Sequence, residues 1–481
     1  MGNLRKSLIS GVWYVSLAKY SCVVVGLVVT AVLARMLTPH DFGTVAIATV
    51  FIHLFSTIVT ESFSPAIIQN KQLTERDLRA INSFTYLMAF ALTGLYLLAV
   101  PFIVAYYETE VLSTILTVFA VSIFFSIISI VPNALLMKAK RFRFIAMMSL
   151  GIHLALAVMS IVAVTQGMGT YALLVEPVGH GVLLFAVSYA AYPVKWSWPR
   201  RESVAKILSF SVFQMLYTAI HIGYRNIDKL LIGKYMGAAN LGYYEKSYRL
   251  MMLPLENVSS VISPVLHPLL SEYQNDKDYL WEAYKKIIAF MSEFCFIVSM
   301  ALFFLARFIV ILLYGDQWEP AVPVFQVLAL SVCFQLMQSP MGAIFLAANA
   351  VRQLMASTLW IFFLMLIGVA GAIGVGSFEL IPIVVVLVFL LGFIIYQGCL
   401  ARLFGKRSDE IYAIMWPHVA YAALLFALLS VVEEMAGEDL WVNGLAVISS
   451  VLAYFALLFY TNRIPQLRQM LSFAARKLMG K

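Results

Sequence analysis

Residues 224–250 read YRNIDKLLIGKYMGAANLGYYEKSYRL and carry seven charged side chains within an otherwise hydrophobic chain. The charges extend from Arg225 to Arg249. Charged side chains are costly at membrane depth, so those that occur there face a protein interior or a water-filled cavity and often mark a transport pathway. This stretch therefore predicts the polar wall of a membrane transporter.

The composition of the chain supports a membrane location. Of its 481 residues, 62% are hydrophobic and 12% are charged, and the mean hydropathy is +0.89. A soluble domain carries about twice that charged fraction. The apolar runs reach the roughly 20 residues of a transmembrane helix, whereas strands of a membrane β-barrel alternate over about ten. We therefore predict an all-α polytopic membrane protein, whose first apolar run is too long for a secretory signal.

Charged and turn residues divide the apolar sequence into about fourteen predicted transmembrane helices. Each is long enough to cross a hydrocarbon core of about 30 Å. Twelve spans is the alternative, because the breaks near 166–170 and 376–379 are weakly marked. The predicted segments are 10–35, 42–69, 79–106, 112–137, 143–165, 170–192, 206–234, 241–271, 283–313, 320–348, 351–375, 379–404, 411–433 and 440–462.

Basic residues predict the orientation of these helices. The two termini and every second connection hold 25 of the 33 lysines and arginines, whereas the other connections hold only Arg35, Lys234 and Arg307. Such a bias is typical of cytoplasmic loops. It predicts an even number of spans with both termini in the cytoplasm, and we name the two ends of the helices, predicted cytoplasmic and predicted external, accordingly. Topology accounts for the net charge of +8, so no nucleic-acid partner is expected.

An internal repeat divides the chain into similar halves. The segment LARMLTPHDFGTVA (Leu33–Ala46) resembles IGKYMGAANLGYYE (Ile232–Glu245), displaced by 199 residues, and pairs Gly43 with Gly242. A second similarity, beginning at Pro132 and Pro340, is displaced by 208 residues. Parallel duplication of this kind is common in transporters. We predict an N-terminal lobe at 1–200 (helices 1–6), a C-terminal lobe at 201–407 (helices 7–12), and an extra helix pair with a cytoplasmic tail at 408–481.

The seventh predicted helix carries a polar stripe on one face. Its members recur at steps of three and four, which keeps side chains on one side of a helix, and Lys229 flanks them. The alternative to a water-filled face is that Arg225 and Asp228 form an ion pair that only stabilises the packing of the helix. The net positive charge of the stripe favours the water-filled face. The candidate cavity residues are Gln214, Thr218, His221, Arg225, Asp228 and Lys229, joined by Lys19 on the equivalent face of the first helix.

Further acidic and basic side chains are candidates for ion coupling or gating. The Lys19 ammonium, a cavity candidate, can alternatively extend to the membrane–water interface. Glu176 and His180 are spaced for a proton-handling couple or a hydrogen bond at a helix kink. Glu245 and Arg249 form an outer gate or an ion pair, and Glu61 and Glu293 lack a partner nearby in sequence. The candidates for coupling or gating are Glu61, Glu176, Glu245, Arg249 and Glu293, with Asp228 as a further coupling candidate.

Enzymatic motifs are missing from the sequence. It contains no P-loop that would indicate an ATP-driven pump, and its His, Cys and carboxylate residues lack the spacing of a catalytic metal site. We expect no catalytic residue, no metal and no cofactor. The four cysteines all lie in apolar segments and are interpreted as small buried side chains.

Two segments resemble a known family. They are Gly11–Ala48, which contains LARMLTPHDFG, and Arg225–Tyr244, which reads RNIDKLLIGKYMGAANLGYY. Both are similar to the polysaccharide-exporter (Wzx-like) flippases of the colanic-acid and teichuronic-acid branch. These flippases belong to the multidrug/oligosaccharidyl-lipid/polysaccharide exporter superfamily. The resemblance covers essentially the whole chain.

The resemblance implies a fold, a substrate and a mechanism. It implies fourteen helices in two lobes that form a V and alternate between inward- and outward-open states. It implies export of an undecaprenyl-pyrophosphate-linked oligosaccharide across the bacterial inner membrane, alongside polysaccharide polymerase machinery, with H⁺ or Na⁺ as candidate coupling ions. Arg225, Lys229 and Lys19 are the positions that fit the basic residues which meet the pyrophosphate in relatives.

Two other functions are compatible with parts of the sequence. An ion-coupled multidrug or organic-cation antiporter of the same superfamily would use acids such as Glu61 and Glu293, although the cationic stripe disfavours a cationic substrate. A non-transporting membrane scaffold would have lost its cavity, which the charges in helices one and seven argue against. A lipid-flipping assay distinguishes both from a flippase.

Overall fold

A computed structural model describes residues 2–274, 276–437 and 439–468, which form helices and, within these ranges, no strand. The helices of the first half are α1 (Gly2–Met36), α2 (Pro39–Ile52), α3 (Ile58–Gln69), α4 (Glu75–Tyr107), α5 (Val111–Ile128), α6 (Ile130–Lys138), α7 (Phe142–Thr165), α8 (Val175–Ala191) and α9 (Arg201–Tyr235). Those of the second half are α10 (Ala238–Ser271), α11 (Lys277–Phe304), α12 (Ala306–Tyr314), α13 (Ala321–Ala329), α14 (Val332–Gln338), α15 (Met341–Ala347), α16 (Val351–Gly374), α17 (Leu380–Phe404), α18 (Asp409–Ala436) and α19 (Leu440–Tyr460).

Local sequence signals set several helix ends. Thr38 caps α2 and Thr74 caps α4, each in a reciprocal capping box with the aspartate three residues later, which satisfies backbone N–H groups that a helix start leaves unpaired. A π-helix at His53–Thr57 joins α2 to α3 without breaking the rod. At the end of α17, Gly405 adopts a left-handed conformation with φ of 68°, which glycine tolerates without strain.

Eleven helices in the described ranges are long and apolar enough to cross a membrane, and the count is twelve if the bent α13 and Val332–Ala347 pair is one span. The chain is therefore a multi-span membrane protein. The helices α9 and α10 are 35 and 34 residues long and are not among these eleven. Adding these two to the twelve would give the fourteen predicted spans, so the total of fourteen remains a prediction.

The first compact unit comprises Met1–Gly242. In it α1 packs on α7, α4 and α8 pack on α5, and α9 packs against α2, α3 and α4. The contacts of α9 explain why this unit ends after residue 242, whereas the predicted lobe division lies at 200/201. The division into repeated lobes remains a prediction.

The second compact unit comprises Tyr243–Lys481. Its two last helices, α18 and α19, pack on each other and on α11. They share a buried apolar cluster of Ile297, Phe304, Leu425, Leu429, Val447, Leu458, Ile464 and Leu467. Lipid tails are as apolar as these side chains, so van der Waals packing rather than transfer from water holds such a cluster together. The predicted extra pair is thus packed into this unit.

Candidate functional site

The polar stripe lies on α9 inside the first unit. Thr218 and Asp228 are buried, with 3% and 1% of their surface exposed, whereas Gln214, His221 and Arg225 are half-buried, as is Lys229. An Asp228 carboxylate oxygen accepts a hydrogen bond from the backbone N–H of Lys229 at 2.9 Å. The stripe therefore combines a buried acid with half-buried cations along one helix.

Aromatic rings continue the stripe between its polar members. The Tyr217 ring stacks on His221 with centroids 6.1 Å apart, and His221 meets Tyr224 edge-on at 5.7 Å. The Arg225 guanidinium lies over the Tyr224 ring at 5.4 Å from its centroid, a geometry in which the ring face attracts the cation. Tyr217 and Tyr224 each lie three or four residues from members of the stripe. The spacing that defines the stripe therefore also places these tyrosines on the same face of α9.

Glu61 comes close to this stripe from α3. The two helices pack together, and the Ser211 hydroxyl of α9 donates a hydrogen bond to the Ser62 carbonyl at 3.3 Å. Of the candidates for coupling, Glu61 is thus brought to the stripe by folding.

An apolar cavity of about 210 Å³ lies beside the same part of α9. Its lining comes from the π-helix, α3, α4 and α9, and Met215 is the neighbour of Gln214 in sequence. A π-helix widens a helix locally and often occurs at functional sites. The lining residues are Leu54, Phe55, Ile58, Val59, Leu92 and Met215.

A buried carboxylate fastens the predicted cytoplasmic end of α9. Asp77 of α4 accepts hydrogen bonds from the Ser203 hydroxyl at 2.7 Å and the Lys206 ammonium at 2.8 Å. Only 6% of Asp77 is exposed. The sequence shows Thr74 and Asp77 as a capping box but gives no sign of the partners on α9.

The predicted external end of α9 is also attached to α4. The Lys234 ammonium lies 2.8 Å from a Glu108 carboxylate oxygen, and the Tyr107 hydroxyl donates to the Leu230 carbonyl at 3.1 Å. The hydrogen bond from Lys234 lowers the pKa of Glu108, which is exposed. Contacts at both ends therefore hold the stripe helix against α4.

Three further candidates of the first unit lie on α1 and α8. Lys19 is half-buried on α1, whose packing neighbour is α7. On α8, Glu176 is exposed and His180 is half-buried. The His180 ring meets His153 of α7 edge-on at 5.5 Å, an aromatic contact that the Glu176–His180 spacing does not predict.

Three candidates lie in the second unit. Arg249 is exposed and its guanidinium is 3.3 Å from Glu256, and Glu245 is half-buried on the same helix. Glu293 is buried, and its carboxylate accepts hydrogen bonds from the backbone N–H groups of Gln466 at 3.0 Å and Leu467 at 2.7 Å. The Glu293 geometry is that of a structural cap.

Within the described ranges, no group of three or more His, Cys, Asp or Glu side chains is placed to hold a metal ion. The chemistry of the α9 region therefore comes from its cations, rings and acids. The two cations lie away from the apolar cavity, at the other end of the stripe, since Arg225 is about 15 Å along the helix from Met215.

Comparisons with known proteins agree with a transporter fold. A family model described as "Polysaccharide biosynthesis protein" matches residues 32–323. The teichuronic acid biosynthesis protein TuaB of Bacillus subtilis (strain 168) is 23% identical over 88% of this chain and 89% of its own. The lipid II flippase MurJ in an inward closed conformation superposes with a TM-score of 0.74 at 13% identity, covering 94% of this chain and 100% of MurJ. An inward-facing multidrug resistance MATE transporter of the MOP superfamily superposes at 0.59 with 16% identity, covering 79% and 95%.

Proposed function

This chain belongs to the polysaccharide biosynthesis protein family, and we propose that it is a flippase for a polyprenyl-pyrophosphate-linked oligosaccharide. The observation that carries the proposal is the cationic and aromatic stripe on α9. The names of TuaB and MurJ, a polysaccharide biosynthesis protein and a lipid flippase, support the same substrate class.

The charge of the stripe matches a pyrophosphate. Arginine binds phosphate oxygens through paired, charge-assisted hydrogen bonds, and lysine acts as a mobile point charge. The contact with the Tyr224 ring orients the Arg225 guanidinium. We assign Arg225 and Lys229 to the pyrophosphate, with Gln214 and His221 as hydrogen-bonding groups along the stripe and Lys19 as a further cation on α1.

The apolar cavity matches the other part of such a substrate. Its six lining residues are all hydrophobic, and its volume suits a short length of hydrocarbon rather than a sugar. We propose that it receives the first isoprene units of the lipid while the rest of the tail stays in the bilayer. Met215 connects the cavity to α9, about 15 Å along that helix from Arg225, a separation that a single extended amphiphile can span.

The proposed mechanism is alternating access in the bacterial inner membrane, with fourteen spans, two lobes and both termini in the cytoplasm. Basic side chains of α9 pair with the pyrophosphate as it crosses, so this anion need not enter the hydrocarbon without a counter-charge. Glu61, Asp228 and Glu176 are our candidates for coupling to H⁺ or Na⁺, and Glu245 and Arg249 are candidates for an outer gate. Polysaccharide polymerase machinery would receive the product.

A multidrug antiporter is the second candidate. The fold of the MATE transporter is similar, and Glu61, an exposed acidic residue on α3, is the residue that favours an organic cation. Because Arg225 lies within the same region, a cationic substrate would meet repulsion there.

Reconstitution of the purified protein in liposomes tests the proposal. A pyrophosphate-linked oligosaccharide on a polyprenyl carrier is placed in both leaflets, and its transfer is followed by the access of an added glycosidase. We expect transfer well above that of protein-free liposomes, and none for a fluorescent organic cation. Transport of the cation alone would favour the antiporter, and transport of neither would favour a scaffold.

A further inference from the structure

Two exposed tyrosines and an ion pair lie together at the predicted external ends of α4 and α9. The Tyr106 and Tyr235 hydroxyls are 3.5 Å apart, and 48% and 57% of these two residues are exposed. The Lys234 ammonium lies 5.2 Å from the centroid of the Tyr106 ring and 2.8 Å from a Glu108 carboxylate oxygen. We name this group the external tyrosine site; its members are Tyr106, Glu108, Lys234 and Tyr235.

The two helices that carry the site are held against each other. The Tyr107 hydroxyl donates to the Leu230 carbonyl at 3.1 Å, and Tyr107 is buried. The ion pair adds a second contact, from Lys234 of α9 to Glu108, the residue that follows α4. These contacts fix the exposed side chains relative to one another, which lowers the ordering cost of binding a ligand there.

The backbone of Glu108 indicates a role for its side chain. Its φ of 55° and ψ of 36° lie in the left-handed region, which glycine adopts without strain and other residues seldom adopt. The side chain of Glu108 is 78% exposed, and exposed ion pairs contribute little to stability. Stability therefore does not account for a carboxylate at this position, whereas contact with a ligand would.

The side chains of the site suit a sugar. Tyrosine combines a flat apolar ring with a hydroxyl, so it can pack on the C–H face of a pyranose and hydrogen-bond to its hydroxyls. The Lys234 ammonium covers one face of the Tyr106 ring, which leaves Tyr235 as the ring for stacking. Glu108 uses one carboxylate oxygen for Lys234, and its second oxygen can accept a hydrogen bond from a sugar hydroxyl.

The charge of the site favours a neutral sugar. Lys234 is already paired with Glu108, and Glu110, two residues further along the chain, is also exposed. The two carboxylates would repel an anionic lipid headgroup or a uronic acid. A neutral pyranose meets no such repulsion.

The site continues the stripe of α9. Tyr235 is seven residues after Asp228, a spacing that places both on the same side of a helix. Tyr235 is also about 15 Å along α9 from Arg225. An oligosaccharide whose pyrophosphate lies at Arg225 can therefore place its outer sugars at Tyr235, whereas a single sugar is too short to reach.

We propose that the external tyrosine site binds a neutral sugar of the lipid-linked oligosaccharide on the predicted external side of the membrane. The sugar stacks on Tyr235 and donates a hydroxyl hydrogen bond to Glu108, and the Tyr106 hydroxyl is a further partner. The role of the site in transport rests on the proposed flippase function, but its binding of free sugars is measured without transport.

Saturation-transfer NMR on the purified protein tests the binding. The protein is held in nanodiscs, with empty nanodiscs as the baseline, because the sugar head groups of maltoside detergents would compete. The probes are the methyl glycosides of glucose, galactose and mannose, which are neutral, and methyl glucuronide, which is an anion. We expect saturation transfer to at least one neutral glycoside, and a signal at least about fivefold weaker for the glucuronide.

Variants locate the bound sugar. Tyr235→Ala should lower the saturation transfer at least about fivefold, because it removes the stacking surface. Glu108→Ala, which removes the acceptor, should lower it at least about threefold and decides the matter if Tyr235→Ala does not accumulate. Tyr171→Ala is the matched control, an exposed tyrosine in another predicted external connection, and should bind as the parent does.

Two lipid-linked substrates separate sugar binding from anchoring of the helix ends. In liposomes, Tyr235→Ala should slow the transfer of a polyprenyl-pyrophosphate pentasaccharide about threefold and leave that of the monosaccharide unchanged. Tyr235→Phe keeps the ring and should restore transfer of the pentasaccharide. Tyrosines that only anchor helices at the membrane interface would instead slow both substrates equally.

Several results would overturn the site. They are saturation transfer to no neutral glycoside, an equal signal for the glucuronide, unchanged signals in both Tyr235→Ala and Glu108→Ala, and equal slowing of the two lipid-linked substrates. If the parent transfers neither lipid-linked substrate, the flippase assignment fails, while the NMR signals still report whether the site binds a sugar.

Discussion

Helices α1 and α9 are equivalent in the two repeats, yet they differ in the chemistry of their faces. At the position where α9 carries Arg225, α1 carries Gly26, and His221 corresponds to Cys22. The turns that follow both helices keep the same glycine. A Cβ on Gly43 would lie 1.7 Å from the Ala238 carbonyl oxygen, and one on Gly242 would lie 1.9 Å from the Pro39 carbonyl oxygen. The repeat is thus retained where backbones meet and lost where side chains would meet a substrate. On this difference we base the proposal that α9 supplies the binding groups.

Loss of Arg225 should have the largest effect. We expect Arg225→Ala to lower polymer export about 100-fold or more, because paired charge-assisted hydrogen bonds to the pyrophosphate contribute about 1.5–3 kcal/mol each. Export is measured in cells lacking the native gene, with membrane abundance checked by immunoblot. Arg200→Ala, on the exposed residue before α9, is the control and should export normally. Normal export by Arg225→Ala would remove the main assigned contact.

Moving the charge between the equivalent helices probes whether α1 can replace α9. We expect Gly26→Arg/Arg225→Gly to export at least about tenfold less than wild type, because α9 alone offers the Tyr224 ring that orients the guanidinium and an unpositioned cation regains little of the bidentate geometry. Gly26→Arg alone is the control for tolerance at that site, where a Cβ meets no atom within 4 Å. Restoration of export by the double variant would show that the halves are interchangeable.

The predictable features were those that depend on local spacing. The apolar runs predict the helices, and the 199-residue repeat pairs Gly43 with Gly242, whose turns pack closely together. The partners of Asp77 and Glu293 were not predictable, because 126 and 173 residues separate Asp77 from Ser203 and Glu293 from Gln466. The π-helix at His53–Thr57 has no signature in the residues that form it. Spacing along one helix is encoded locally, whereas contacts between distant helices depend on packing.

Helices α4 and α11 differ in how much of their surface is covered by other helices. In α4 only 17% of the most apolar stretch is buried, whereas in α11 the figure is 50%. The reason is that α18 and α19 pack on α11, while α4 exposes Leu98 and Phe102 to the surroundings. The chain from α9 onward therefore differs from the part before it in two ways: in structure, through the added helices α18 and α19, and in the side chains of its first helix.

We expect Glu293 to stabilise the packing of the chain after α19 and to have no role in transport. Glu293→Gln removes one of the two oxygens that accept the Gln466 and Leu467 N–H groups, and an unsatisfied buried group costs about 1–3 kcal/mol. We expect a lower unfolding temperature of the purified protein and faster proteolysis after α19, with glycan transfer in liposomes retained. Exposed Glu272→Gln is the control. Loss of transfer at unchanged stability would instead make Glu293 a coupling residue.

The smallest expected effect concerns the ion pair between α9 and α4 at Lys234, whose equivalent in the first repeat is Arg35. Glu108 is exposed, and exposed pairs contribute little because solvent screens them, so Glu108→Gln should lower the unfolding temperature only slightly at pH 7. The hydrogen bond from Lys234 lowers the pKa of Glu108. The stabilisation is therefore present above the ordinary carboxyl pKa and is lost as the pH falls through the lowered one. The difference between wild type and Glu108→Gln should shrink over that acidic range, whereas exposed Glu110→Gln should match wild type at neutral pH. A difference that persists after Glu108 is protonated would mean that the Glu108 side chain acts through something other than its charge.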